Sequence, residues 1–454
     1  MIPPGTDLHM YQTAGTRKTF PFSRLVERAM AALVVAAVVV LPLVFVPSLD
    51  DGYAFPKVSV LRVVGLVGAT LFLGYVACRG SLARQADLRI DLPLACFAGL
   101  LLAASVASVD PVQSFAGEAY QYQGLVTVLL YIGSFYVARL FLGRAQGFRK
   151  ILMATVCTGA VVSVYGIAQG LGFDPFWSGP PVDRIISSVG QANDLAAYLD
   201  LVVIAALGLW PTAGRGSRLG LAALVVVTLL ALALTFSRGG YLGLTAALSV
   251  LLIPRYHARP RHWVRAIGLT LAAGMLAVAL VLPTARAIAE RVADRAVATI
   301  DLGEGSIRMH LDLWRVGSQV ALDHPWLGTG PETFPLVFRP YLDQALPPDR
   351  SQFLGRFRLE SPHNELVGIA AEMGLPALIA YLVFLIACAM ACVRQARAAN
   401  GASRSIALVV LATLATHTLT SFFMTPAVTT SELFWITVGA GLAAMGNART
   451  TQPG

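Results

Sequence analysis

Five consecutive residues, Ser361-Pro362-His363-Asn364-Glu365, stand just before an apolar run and carry the side chains of acid–base chemistry. Ser-Pro reads as a helix start, with Ser361 as the cap and Pro362 at the first helical position, where its missing N–H is no loss. His363 then falls in the first turn, where the positive end of the helix dipole disfavours imidazolium. A neutral imidazole can take a proton, as a general base must, and the same helix end attracts anions. Leu366, Ile369 and Met373 continue one apolar face up to Gly374, and Pro376 restarts a helix. A capping or interfacial histidine is the alternative to a catalytic one.

Two arginines add anion chemistry. Arg238 lies in Thr-Phe-Ser-Arg-Gly-Gly, residues 235–240, at a tight turn between apolar runs. Arg184 opens Arg-Ile-Ile-Ser-Ser-Val-Gly-Gln-Ala-Asn-Asp, residues 184–194. Guanidinium is always charged and binds phosphate oxygens two at a time, while the glycines after Arg238 let a backbone or ligand approach closely. The competing reading for each is an interfacial anchor. Soluble catalytic templates are missing: there is no G-x-S-x-G, H-E-x-x-H or G-x-x-x-x-G-K. No D-x-D pair occurs in the loops expected outside, which argues against a divalent-metal sugar-nucleotide transferase.

These residues cluster in or beside one long polar segment, Pro283 to Gly374, which also holds His310 and His324 and many arginines. Residues 306–323 read as an amphipathic helix. Ile307, Leu311, Trp314 and Ala321 form its apolar stripe, and Arg308, Asp312 and Arg315 another face. Pro325 stops it, and Gly328 and Gly330 make the turn that follows.

The rest of the chain must hold that segment in place. Its 454 residues are 56% hydrophobic and 13% charged, against about 25% charged in a soluble domain, and mean hydropathy is +0.68. Repeated long apolar runs without alternation predict an all-α, polytopic membrane protein rather than a barrel. Apolar runs fall at 29–46, 58–78, 92–108, 124–142, 151–170, 193–210, 219–236, 239–253, 265–282, 375–393, 404–424 and 431–446. Lys and Arg collect in every second loop, which predicts twelve spans with both termini cytoplasmic. This gives a tail (1–28), spans one to nine (29–282), the long outer loop (283–374), spans ten to twelve (375–446) and a second tail (447–454). The net charge of +9 is then a topology signal and not a nucleic-acid signal. The first run exceeds a signal-peptide core and reads as a retained anchor. All five cysteines lie in or at the ends of apolar runs, so no disulfide framework is expected. Arg62, Asp194, Asp200 and His417 fall inside spans, where a charge costs roughly 2.5–3.5 kcal/mol. All four lie toward the expected outer ends, which predicts one shared polar cavity.

Four segments make the chain resemble the O-antigen ligase family: Ser-Val-Gly-Gln-Ala-Asn-Asp-Leu-Ala from Ser188; Thr-Phe-Ser-Arg-Gly-Gly from Thr235; Ile-Arg-Met-His-Leu-Asp-Leu-Trp from Ile307, running on to His-Pro-Trp-Leu-Gly-Thr-Gly from His324; and Ser361 to Glu365 followed by Glu372-Met-Gly-Leu. His363 and Gly374 stand at the family's His–Gly spacing, and Arg238 with Leu242 fits its Arg-x-x-x-Leu pattern, as Arg62 and Arg215 also do.

The resemblance implies a metal-independent, lipid-dependent glycosyltransferase of the GT-C-like kind, with no cofactor. It would move a glycan from undecaprenyl diphosphate to a sugar hydroxyl of lipid A–core at the periplasmic face of the bacterial inner membrane. Its partners would be those two lipids and the bilayer, with no nucleic acid. In that scheme His363 is the base, and Arg238 and Arg184 hold the diphosphate. Arg308, Asn193, Asn364 and Arg62 are the further substrate contacts. An O-antigen polymerase or another ligase of bactoprenol-linked glycans shares the plan, and a polyprenyl-linked sugar transporter or flippase is the non-enzymatic reading.

Overall fold

The computed structural model describes residues 21–79, 87–176, 184–256, 305–357, 359–425 and 427–447, and these contain helices and loops without a strand. The predicted ninth span, 265–282, and the start of the long segment lie outside the described residues. In chain order the helices are α1 (Pro21–Leu43), α2 (Ala54–Arg79), α3 (Leu88–Val106), α4 (Pro111–Ala116), α5 (Leu125–Phe141), α6 (Ala145–Gly170), α7 (Ala192–Leu209), α8 (Arg215–Leu234) and α9 (Arg238–Tyr256). After the undescribed stretch come α10 (Gly305–Asp323), α11 (Phe334–Val337), α12 (Arg339–Ala345), α13 (Pro348–Leu354), α14 (Glu365–Met373), α15 (Leu375–Ala398), α16 (Gly401–Thr420) and α17 (Val428–Asn447).

Among the described residues nine helices are long and apolar enough to cross a membrane, and α5 and the start of α9 are shorter apolar helices. They coincide with eleven of the twelve expected runs, so the chain is an all-α polytopic membrane protein. Helix and apolar run do not share ends: α1 starts at Pro21 and α16 at Gly401, upstream of the runs at 29 and 404. Backbone hydrogen bonding carries a helix through flanking basic residues that hydropathy leaves out.

The spans form one bundle. α17 sits inside it, with nearly every residue buried, and α7 is almost as enclosed. Gly439 lets α17 lie directly on the Phe135 carbonyl of α5, and Gly441 makes room for Val410 of α16. Peripheral α2 turns Val63, Leu66 and Leu73 outward.

The long segment has a second core of its own. Leu313, Val316 and Val320 of α10 pack with Phe334, Phe338, Leu342, Leu354, Ala370 and Ala371. Each large side chain fully buried there contributes about 1.5–3 kcal/mol. This corrects the expected face of α10. Leu311 is exposed, and Asp312, assigned to the charged face, is buried beside Arg350, with Nε donating to Oδ2 at 2.8 Å and Nη2 at 2.7 Å from the same oxygen. Gly317 is what allows α10 to close on Pro362 and Val367 at the start of α14.

Candidate active site

The helix carrying the Ser-Pro-His-Asn-Glu segment begins three residues later than the sequence suggests. Asn364 is the cap of α14: its extended backbone presents Oδ1 to the N–H groups of Leu366 (3.0 Å) and Val367 (3.1 Å). Ser361 Oγ accepts from the His363 N–H at 3.2 Å instead. An Asn cap is at least as favourable as Ser, and here it satisfies two helix-end donors at once. His363 is therefore in a bend before the helix, with φ +51°, a left-handed conformation that costs a non-glycine residue roughly 1–2 kcal/mol. The first-turn dipole argument gives way to a different cause with the same sign. Burial lowers the His363 pKa below the ordinary histidine value, and Glu360 pulls weakly the other way.

The His363 ring meets His310 edge-on, with centroids 5.7 Å apart. The His310 pKa is pushed down to about 4, by burial first and then by His363 and Arg238. The site thus pairs two imidazoles held neutral at pH 7 with a guanidinium close enough to bias one of them. Sequence reasoning quoted His310 in a motif but gave it no role. Its signal was position: one helical turn before Trp314 on the α10 face that approaches Phe423, whose ring lies 6.4 Å from His310 and 6.1 Å from Trp314.

Arg238 is the first residue of α9, capped by Ser237, whose Oγ accepts from the Gly240 N–H at 3.3 Å. The glycines that follow are packing residues. Gly239 faces Phe423 and Met424, Gly240 faces Ala196 of α7, and Gly243 faces the Asp200 carboxylate and Thr420. Arg184 lies beneath this turn. Its Nε donates to the Thr235 carbonyl at 2.7 Å and its Nη2 to Asn193 Oδ1 at 2.6 Å, and the same oxygen accepts from Ser237 Oγ at 3.0 Å. Arg184, Asn193 and the α8–α9 turn are one hydrogen-bonded unit from which Arg238 projects.

The remaining candidates stand apart. Arg62 donates to the Ala116 carbonyl at the end of α4. Arg308 is exposed, and two residues along a helix from His310 it points roughly 200° away. Asn364 uses its side-chain oxygen as the cap. Of the polar residues inside spans, Asp200 and His417 have different surroundings. Asp200 is fully buried against α9, with both carboxylate oxygens unpartnered among the described residues. His417 is stacked on Phe434, with ring centroids 3.9 Å apart. Its Nε2 lies 2.8 Å from the Tyr381 hydroxyl, which also donates to Glu365 Oε1 at 3.0 Å. With the Glu365 N–H donating to the Ser421 carbonyl at 2.8 Å, this network ties the His363 segment to α15 and α16.

A cavity of about 2520 Å³ lies elsewhere, lined by α1, α2, α3, α5 and α17 residues such as Gly65, Asp91, Arg139 and Glu432, and includes none of the candidate residues. Among the described residues no three His, Cys, Asp or Glu side chains converge as metal ligands would.

No curated protein matches the chain. The model of the O-antigen ligase family matches residues 223–382, which run from within α8 to within α15 and take in Arg238, His310 and His363, while Arg184 and Asn193 precede the match. Through that stretch, which contains the paired histidines and the arginine beside them, the chain is similar to the O-antigen ligase family.

Proposed function

We propose that this protein transfers a glycan from undecaprenyl diphosphate to a sugar hydroxyl of lipid A–core, at the periplasmic face of the inner membrane, without metal or nucleotide. The family is one of glycosyltransferase-like ligases whose substrates are a lipid-linked glycan and a lipid acceptor, and it supports an enzymatic role. The observation that carries the finer reading is a neutral His363–His310 pair beside Arg238 at a helix start.

In this mechanism His363 takes the proton of the acceptor hydroxyl as its oxygen attacks the anomeric carbon. The bond from that carbon to the diphosphate breaks, and its electron pair leaves on the diphosphate. Arg238 meets the charge that develops there, and Arg184 with Asn193 fixes the turn that aims it. A preorganised donor of this kind is worth about 10²–10³ in rate. No nucleotide is consumed, because the diphosphate-linked donor is already activated. Both substrates are confined to one leaflet, so proximity supplies much of the remaining barrier reduction.

The test is purified protein in nanodiscs with lipid-linked glycan and lipid A–core, in the presence of chelator. Conjugate should form. No conjugate, or conjugate only on adding a divalent ion, overturns the proposal. Extension of the donor glycan without lipid A–core would identify a polymerase in its place.

A further inference from the structure

One exposed apolar stripe crosses from a span onto the long polar segment. On α15, Leu375, Ile379, Val383 and Ile386 are exposed at spacings of four, four and three, which is one helix face. On a membrane span, a face so exposed among the described residues meets lipid. The stripe does not end with the helix. The Leu375 N–H donates to the Pro325 carbonyl at 2.8 Å, and Gly374 leaves room for the Trp326 carbonyl. Trp326, 77% exposed, therefore adjoins the first turn of α15, and Leu322, 67% exposed, lies one turn earlier. Backbone bonds from His324 to Val320 and from Gly328 to His324 continue the α10 turn through this corner, so Leu322 and Trp326 share a side. Asp323 and His324, on the neighbouring side of the same turn, are exposed and polar.

We infer that the Leu322–Trp326 corner is a docking surface for the bilayer itself, seated among the lipid headgroups and the first carbons of their chains. Trp favours that layer because its ring is apolar and its N–H polar. Continuity with the lipid-facing side of α15 selects lipid as the occupant, and the flanking Asp323 and His324 suit headgroups better than hydrocarbon. Both ends of α10 are then held at membrane level: one by this corner, the other by His310 against Phe423, three residues past the end of α16. α10 lies across one end of the bundle as a bar supported at both ends.

The experiment reads Trp326 fluorescence as the difference between wild-type protein and Trp326→Phe in nanodiscs of phosphatidylcholine brominated either near the headgroup end of the chain or near its terminal methyl. The shallow bromines should quench the Trp326 component about twofold more than the deep ones, and aqueous iodide should quench it weakly. Strong iodide quenching without bromine quenching overturns the inference, because the corner is then in water. Quenching by neither also overturns it, because protein then covers the corner. A spin label on Leu322→Cys, placed in depth by power saturation, gives the same decision without relying on the tryptophan. Neither readout depends on glycosyl transfer, so a failed transfer assay and a failed depth assay are distinguishable.

Discussion

His363 is held in a backbone conformation that its side chain disfavours, and the groups that hold it surround it closely: Ser361 Oγ on its own N–H, the Asn364 cap on one side and the Glu365 network behind. Strain at a site of chemistry persists only where neighbours over-determine it. Two substitutions separate the strain from the chemistry. His363→Ala and His363→Gly should both abolish transfer at normal expression. Glycine should be the more stable of the two by about 1 kcal/mol in thermal unfolding, because it accepts φ +51° freely. Near-normal activity in either removes the base assignment. The pH dependence follows from the same burial. The folded His310 pKa, about 4, lies below the 6.5 of the unfolded chain, so the unfolded state binds more protons between those values. The stability this neutral ring contributes is fully present above pH 6.5 and is lost as pH falls toward 4. His363 shifts in the same direction, so the acid limb of the transfer rate should have its midpoint below 6.5, and a midpoint above that value would contradict the burial-held neutral base.

At the level of elements, α10 and α14 show what sequence patterns resolve. The α10 limits follow from Pro325 and from residue periodicity, and the helix ends at Asp323 as expected. Its inward face was misread because Asp312 was assigned by charge. The partner that makes its burial tolerable, Arg350, is 38 residues away on α13, and no local pattern announces it. Breaking such a pair strands a largely buried cation, so Asp312→Ala should destabilise the long segment by about 3–5 kcal/mol, measurable as loss of protease resistance across residues 305–357. Replacing both partners with apolar residues should cost much less. The start of α14 was misplaced because Ser-Pro and Asn both signal a helix start, and only the three-dimensional path shows which residue meets the free N–H groups. The His–Gly spacing, in contrast, has a direct reading. α14 is nine residues long, and Gly374 follows it at φ +85°, with the Trp326 backbone where a Cβ would stand.

At the scale of the whole molecule, the membrane class was legible because hydrocarbon imposes a single rule, long apolar helices, on every span. The gathering of His363, His310 and Arg238 was only partly legible, since it depends on how α9, α10, α14 and the end of α16 cross, and crossing geometry leaves no periodic trace. Topology is the remaining prediction at this scale. Cysteine accessibility in intact cells should report residues near Arg238 and His363 from the same compartment, opposite to the Arg394–Arg404 turn between α15 and α16. Labelling of the two site positions from opposite sides would dismantle the site. The join at Gly374 has a mechanical consequence. That one residue is both the end of α14 and the cap of α15, so the His363 segment has no slack relative to its span. When acyl chains are too short or too long for α15, the helix must tilt, and the imidazole must travel with it. Turnover should therefore peak at one chain length and decline on either side, so that this protein's rate becomes a gauge of bilayer thickness.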